Sequence, residues 1–228
     1  MVCWAQKTVL PLPTAYFWIS ALALIGLPGC QEAEMPKERL PYFNTADFTP
    51  LFITSSSEVE KEIMHQLDDF RFQDQKGDWI DNSSIKNNIH VANFMFTSCG
   101  NICPKMTSTM KLVSEAFSED EDVIILSYSV MPWVDTKEVL AAYVQNKKIS
   151  DKNWHFLTGN KAEIYELSRK SYFAEEDIGF TKDSADFLHT EHFILVDGDQ
   201  RIRGIYNGTL KLDVKQLIAD INTLKQEG

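Results

Sequence analysis

Two cysteines four residues apart, Cys99 and Cys103, sit in the run Phe94-Met95-Phe96-Thr97-Ser98-Cys99-Gly100-Asn101-Ile102-Cys103-Pro104-Lys105-Met106. The apolar stretch from Val91 to Phe96 predicts a buried strand that empties into a short loop carrying both thiols. Pro104 predicts the start of a helix, because a proline in the first turn lacks only an N–H that has no partner there. Cys103 is then expected near the helix N-cap, where the dipole and free N–H groups favour a thiolate. Gly100 and Asn101 form a loop that can bend the Cys99 sulfur towards it. Two converging thiolates can cycle through a disulfide or hold a soft metal ion.

Spacing bears on that choice. Thiol–disulfide exchange usually works across two intervening residues, whereas three intervene here, and a longer loop lets two sulfurs spread to chelating distance. Thiolates with imidazole suit copper and zinc, so a histidine is the expected third ligand. The candidates are His65, His90, His155, His189 and His192. His65 and His90 precede or begin the core strand and read as surface or turn residues, and His155 reads as half-buried in a short strand. His189 and His192 stand just ahead of the apolar strand Phe193–Val196. That strand is expected beside the neighbour of the Cys-loop strand, so that the preceding loop leans over the thiols.

The elements that must position these groups follow from patterning. Leu40-Pro41-Tyr42-Phe43 packs as an extended lead-in, and Phe70–Ile80 alternates around Lys76-Gly77 as a hairpin. Asn82-Ser83-Ser84 caps a short helix. Met106, Met110, Val113 and Phe117 share one face of the helix after Pro104. A second apolar strand, Val123–Val130, leads to a helix opened by Asp135-Thr136. Then come a short strand around Trp154–Leu157, a helix capped by Asn160, a hairpin around Gly198 and an amphipathic helix from about Lys211. Alternating strands and helices, with a thiol pair after the first core strand, predict an α/β, thioredoxin-like fold: a mixed sheet flanked by helices, with an N-terminal hairpin.

Residues 1–29 carry one charge, Lys7, and an apolar stretch from Tyr16 to Leu27 that is short for a membrane span and fits a secretory signal. It ends Leu27-Pro28-Gly29-Cys30, close to a lipoprotein signal that would make Cys30 a lipidated N-terminus; an uncleaved anchor is the alternative. The expected organisation is a signal over 1–29, a tether and lead-in over 30–57, and a thioredoxin-like domain carrying the thiol pair over 58–228. The expected location is the extracytoplasmic, periplasmic side of a membrane.

The whole chain has 22 basic against 33 acidic residues, net −11, and losing Lys7 makes the exported body −12. Such acidity argues against nucleic acid, which is bound through basic contacts to phosphate. Processing would remove Cys3 and lipidate Cys30, leaving Cys99 and Cys103 as the only free thiols. A structural bridge across so small a loop would restrict the unfolded chain little, so stability is a poor reason for the pair.

The segment Thr97–Met106 closely resembles the CxxxCP motif of the Sco/SenC family, exported copper proteins that help assemble cytochrome c oxidase. The likeness runs from about Leu40 to the C-terminus and takes in Leu40-Pro41-Tyr42-Phe43-Asn44, Ser129-Val130, Asp135–Leu140, Leu157-Thr158-Gly159 and Asn207-Gly208. The family's copper histidine lies four residues before the residue that opens the hairpin strand, which selects His189, four before Phe193, over His192. The resemblance implies one copper ion, Cu(I) or Cu(II), held by Cys99, Cys103 and His189. It also implies delivery of copper to the dinuclear centre of oxidase subunit II, or reduction of that centre's thiols by Cys99 and Cys103 as a redox pair. Asp186 is close enough in sequence to orient the His189 ring. A peroxidase-type reading fits poorly, because a second cysteine stands directly before Pro104.

The chain departs from the family in three places. Met131 stands where the family usually has an aspartate, and reads as a flexible apolar filler. The hairpin turn is Asp197-Gly198-Asp199-Gln200, and His192 is an additional histidine near the site.

Overall fold

The structure is a computed structural model and describes residues 39–174 and 190–227. Cys30, Asp186 and His189 lie outside the described residues. The chain runs β1 (Tyr42–Phe43), β2 (Pro50–Leu51), α1 (Ser56–Glu62), β3 (Arg71–Asp74), β4 (Trp79–Asp81) and α2 (Asn82–Ile85). The core units follow: β5 (Ile89–Met95), α3 (Ile102–Ala116), β6 (Val123–Ser129), α4 (Lys137–Asn146), β7 (Trp154–Thr158) and α5 (Lys161–Glu166). Beyond them lie β8 (His192–Val196), β9 (Ile202–Asn207) and α6 (Lys211–Glu227). The described strands form one sheet in the order β2-β1-β9-β8-β5-β6-β7-β3-β4. Strands β5, β6 and β7 are parallel, and the others are antiparallel to their neighbours.

Alternation along the central strands divides the core into two layers. Val91 and Met95 of β5, Val123 and Ile125 of β6, and Phe193 and Leu195 of β8 face α3, α4 and α6. Those helices answer with Met106, Met110 and Val113, with Leu140 and Tyr143, and with Val214, Leu217 and Ile221. Ala92, Phe94, Leu126, Tyr128 and Ile194 face the opposite layer, where Phe70, Phe72, Ile85, Ile164 and Tyr172 pack. A sheet covered on both faces needs near-continuous apolar strands, which is why every residue of β5 and β6 is buried.

Local rules set most element ends. Gly77 adopts φ +93° in the β3–β4 turn, a conformation glycine reaches without strain. Asn160 accepts from the N–H groups of Ala162 and Glu163 at the start of α5, and the Thr136 side chain accepts from Val139 at α4. The cap of α2 is Asp81 rather than the asparagine–serine run, with Ser83 and Ser84 N–H groups donating to its carboxylate.

Two expectations about placement are corrected. Strand β8 pairs directly with β5, with Ala92 opposite Ile194 and His90 opposite Val196, and is not one strand removed. His90 is no surface residue: it lies on central strand β5 and is fully buried. His65 is half-buried, its Nε2 2.8 Å from the Ser171 carbonyl oxygen and its ring stacked on Phe173. His155, on β7, is half-buried as expected and bonds the buried Asp74 carboxylate through Nδ1 at 3.0 Å.

Candidate metal and redox centre

The thiol loop, Phe96 to Asn101, connects the C-terminal end of β5 to α3. A buried carboxylate fixes its base. Asp135, fully shielded from solvent, accepts the Thr97 N–H at 3.1 Å and the Thr97 hydroxyl at 2.5 Å, and takes a third bond from the Ser129 hydroxyl at 2.6 Å. Ser129 Oγ in turn accepts the Met131 N–H at 3.1 Å. The ends of β5 and β6 are therefore tied through one residue, and the loop leaves the sheet in one direction. In the sequence this brace shows only as a lone aspartate between an apolar segment and the cap Thr136, a signal that does not specify its partners.

Helix α3 begins at Ile102, so Pro104 is its third residue, still within the turn whose N–H groups have no intrahelical partner. Asn101, the N-cap, makes no side-chain capping bond. The Cys99 sulfur takes that place. Burial opposes its ionisation, but the backbone N–H groups of Asn101, Cys103 and Ile102 and the Cys103 thiol all act on its sulfur, and together they lower its pKa below the ordinary thiol value. Cys103 behaves oppositely. It is 4% exposed, in one apolar cluster with Met95, Met106 and Met110, and burial pushes its thiol up to about 12, against a bond from the Phe96 backbone.

This reverses the sequence expectation, which gave the helix-stabilised thiolate to Cys103. N–H groups at a helix start point back along the axis into the preceding loop, where Cys99 sits, while the Cys103 side chain turns into the core. Both cysteines are free thiols. The half-buried Cys99 is the more accessible of the two sulfurs.

Beneath Cys103 the Thr107 hydroxyl lies 2.9 Å from the Cys103 carbonyl and 2.7 Å from the Tyr143 hydroxyl, joining α3 to α4. Because β8 is antiparallel to β5, its first residue, His192, stands at the end of the sheet that bears the thiol loop. The His192 ring packs edge-on against Phe48 at 6.2 Å. Buried Thr190 directly follows His189 in sequence and accepts the His192 N–H at 3.2 Å. Among the described residues, no group of three histidines, cysteines or carboxylates gathers as a metal site. The structure thus brings Cys99 and Cys103 together, and it places His192 at their end of the sheet.

The SCO1/SenC family profile matches residues 59–226. This chain belongs to the SCO1/SenC family. It is 32% identical over 183 residues to the SCO1 protein homolog of Bacillus subtilis, covering 78% of this chain and 94% of that one. A SCO1/SenC family lipoprotein from Bacillus anthracis superposes with TM-score 0.61 at 30% identity, covering 71% of this chain and 95% of the other. Bradyrhizobium japonicum ScoI, solved with copper bound, superposes with TM-score 0.56 at 26% identity, covering 70% and 99%. Another Sco-family neighbour, at 31% identity and TM-score 0.61, is described as a cytochrome c oxidase assembly protein with a disulfide switch. Membership in the SCO1/SenC family and the sheet order agree on the thioredoxin-like fold.

Proposed function

We propose that this protein binds copper and delivers it to the dinuclear copper centre of cytochrome c oxidase subunit II during assembly. The observation that carries the reading is the donor set: two soft sulfurs in contact at a helix N-terminus, in a chain of this family. Cys99 and Cys103 would hold the cargo, with His189 as third ligand, and thiolate with imidazole is a set that suits copper. Ligands must shed their protons, so capture releases the Cys103 proton and affinity rises with pH. Three ligands leave an open side, through which a partner's cysteines can take the ion.

A second reading has its own support. A thiol with a lowered pKa beside a buried, raised one is the asymmetry of a dithiol reductant, with Cys99 attacking and Cys103 resolving. In that reading the protein reduces the partner's copper-binding cysteines and His189 has no part.

The test is anaerobic titration of the reduced full-length protein with Cu(I) and Cu(II). One copper per chain is expected, with a sulfur-to-Cu(II) charge-transfer band in the visible. His189→Ala should weaken Cu(II) more than Cu(I), because Cu(I) tolerates two-thiolate binding. Unchanged binding of both ions in His189→Ala, with loss in His192→Ala, would assign the third ligand to His192.

The tether proposed at Cys30 places this chemistry on the periplasmic face of the membrane. No helix of the described residues is long and apolar enough to cross a membrane. Mass spectrometry of the mature N-terminus should find a lipid on Cys30, and Cys30→Ser should leave an unprocessed or released form. An intact Met1 without lipid would establish an uncleaved anchor instead.

A further inference from the structure

A groove of about 550 Å³ opens on the surface, lined by Arg71, Trp79, Pro132, Lys137, Gly159 and Asn160 among others. It lies at the end of the sheet where parallel strands β5, β6 and β7 finish. In the register, Gln73 pairs with Thr158, so Arg71 lies beyond the end of β7. Open α/β sheets bind their ligands outside the carboxyl ends of such strands. The groove is braced to the thiol site, since Pro132 and Thr136 flank Asp135, whose carboxylate holds Thr97.

The exposed Trp79, at 55%, lines the groove, and the exposed Trp133, at 54%, follows the lining residue Pro132 in the chain. A cation covers each ring. The Arg71 guanidinium lies 4.7 Å from the Trp79 ring centre, and the Lys161 ammonium lies 4.9 Å from that of Trp133. Among the described residues neither cation forms an ion pair, although the chain has 33 acidic side chains to offer. Lys137, also on the lining, has a side chain 46% exposed and an ammonium 3.8 Å from the Glu138 carboxylate. Glu163 is the other carboxylate on the lining. Two large exposed aromatic rings are an apolar cost on a surface, and they are enriched where proteins meet. Cations stacked on those rings keep their N–H groups free for carboxylates.

We propose that this groove docks an extended acidic segment of the protein that exchanges with Cys99, its carboxylates meeting Arg71, Lys137 and Lys161 and its backbone lying between the two tryptophans. The inference rests on the proposed exchange with a partner protein. Its selectivity comes from charge: on so acidic a body, the cations of this strip draw an acidic segment and favour one direction of approach.

The test uses the full-length protein in detergent, labelled with 5-fluorotryptophan and titrated with the cysteine-free decapeptide (Glu-Ala)5. The fluorine resonances of Trp79 and Trp133 should shift together with one dissociation constant while that of buried Trp154 stays fixed. The (Gln-Ala)5 and (Lys-Ala)5 peptides should bind at least fivefold more weakly. Arg71→Glu with Lys161→Glu should weaken (Glu-Ala)5 at least tenfold. The milder pair Arg71→Gln and Lys161→Gln replaces it if the Trp154 resonance shows misfolding. Titration of the Cys99→Ser, Cys103→Ser protein should give the same constant as the parent, so the result stands apart from whether copper is bound or thiols exchanged. Equal binding of (Gln-Ala)5, an unmoved pair of tryptophan resonances at millimolar peptide, or indifference to charge reversal would each overturn the proposal.

Discussion

A host whose only copy of this protein carries His189→Ala is expected to lose cytochrome c oxidase activity about as completely as one carrying Cys99→Ser. The argument turns on what each chemistry requires. Sulfur-to-sulfur attack needs a thiolate, a disulfide and a resolving thiol, and imidazole takes no part in it. Holding copper until a partner takes it needs enough donors to keep the ion from solution, and two sulfurs alone hold Cu(II) poorly. With the proposed ligand set, delivery therefore requires Cys99, Cys103 and His189, whereas reduction requires only the first two. Added copper should restore the His189→Ala host at least partly, because two thiolates remain, and should do little for Cys99→Ser. Ordinary oxidase activity in the His189→Ala host at ordinary copper supply would sink delivery and promote the reductase.

The thiol loop was legible from sequence because its signals are local. An apolar run, a Gly-Asn loop, a cysteine pair and a proline specify a strand, a turn and a helix start without reference to the rest of the chain. What each thiol does there was not legible. Ionisation depends on which sulfur lies in front of the helix N–H groups and which is packed among Met95, Met106 and Met110, and that is decided by side-chain direction in three dimensions. The neighbour of β5 escapes the sequence for a related reason. Patterning says which residues of a strand are apolar, but the pairing of β8 with β5 joins residues about a hundred positions apart and leaves no periodic mark.

His90 shows the same limit from the other side. A polar residue alternating with apolar ones, as in Ile89-His90-Val91, usually marks the solvated face of a strand. Here the strand is central and both its faces are covered, so no solvated face exists. The tolerance for an imidazole comes from Tyr172, whose hydroxyl lies 3.1 Å from His90 Nε2 and 3.0 Å from the Tyr128 hydroxyl. Neither tyrosine is near His90 in sequence, and Nδ1 has no hydrogen-bond partner among the described residues.

That burial makes His90 the group expected to set the acid limit of the fold. Burial drives its pKa from the ordinary 6.5 down to about 3, since the cation cannot be solvated there. The unfolded chain takes up the proton as pH falls through 6.5 and the folded chain does not, so stability is full above 6.5 and declines below it. The slope approaches about 1.4 kcal/mol per pH unit and persists down to the folded pKa. Buried Asp197, raised by desolvation despite Arg203, works in the opposite sense at lower pH, and carboxylates with lowered pKa values, such as Asp81, add their own losses there. The window from pH 6.5 to 4.5 is therefore the informative one. Urea unfolding at those two pH values should show the parent losing roughly 2–3 kcal/mol more than His90→Gln, whose amide can bond Tyr172 and cannot charge. The variant is expected to be less stable at pH 7, because an amide is a poor fit for a ring cavity, so the comparison rests on the change with pH in each protein. Equal changes in the two proteins would remove His90 as the source and leave the acid limit to the carboxylates.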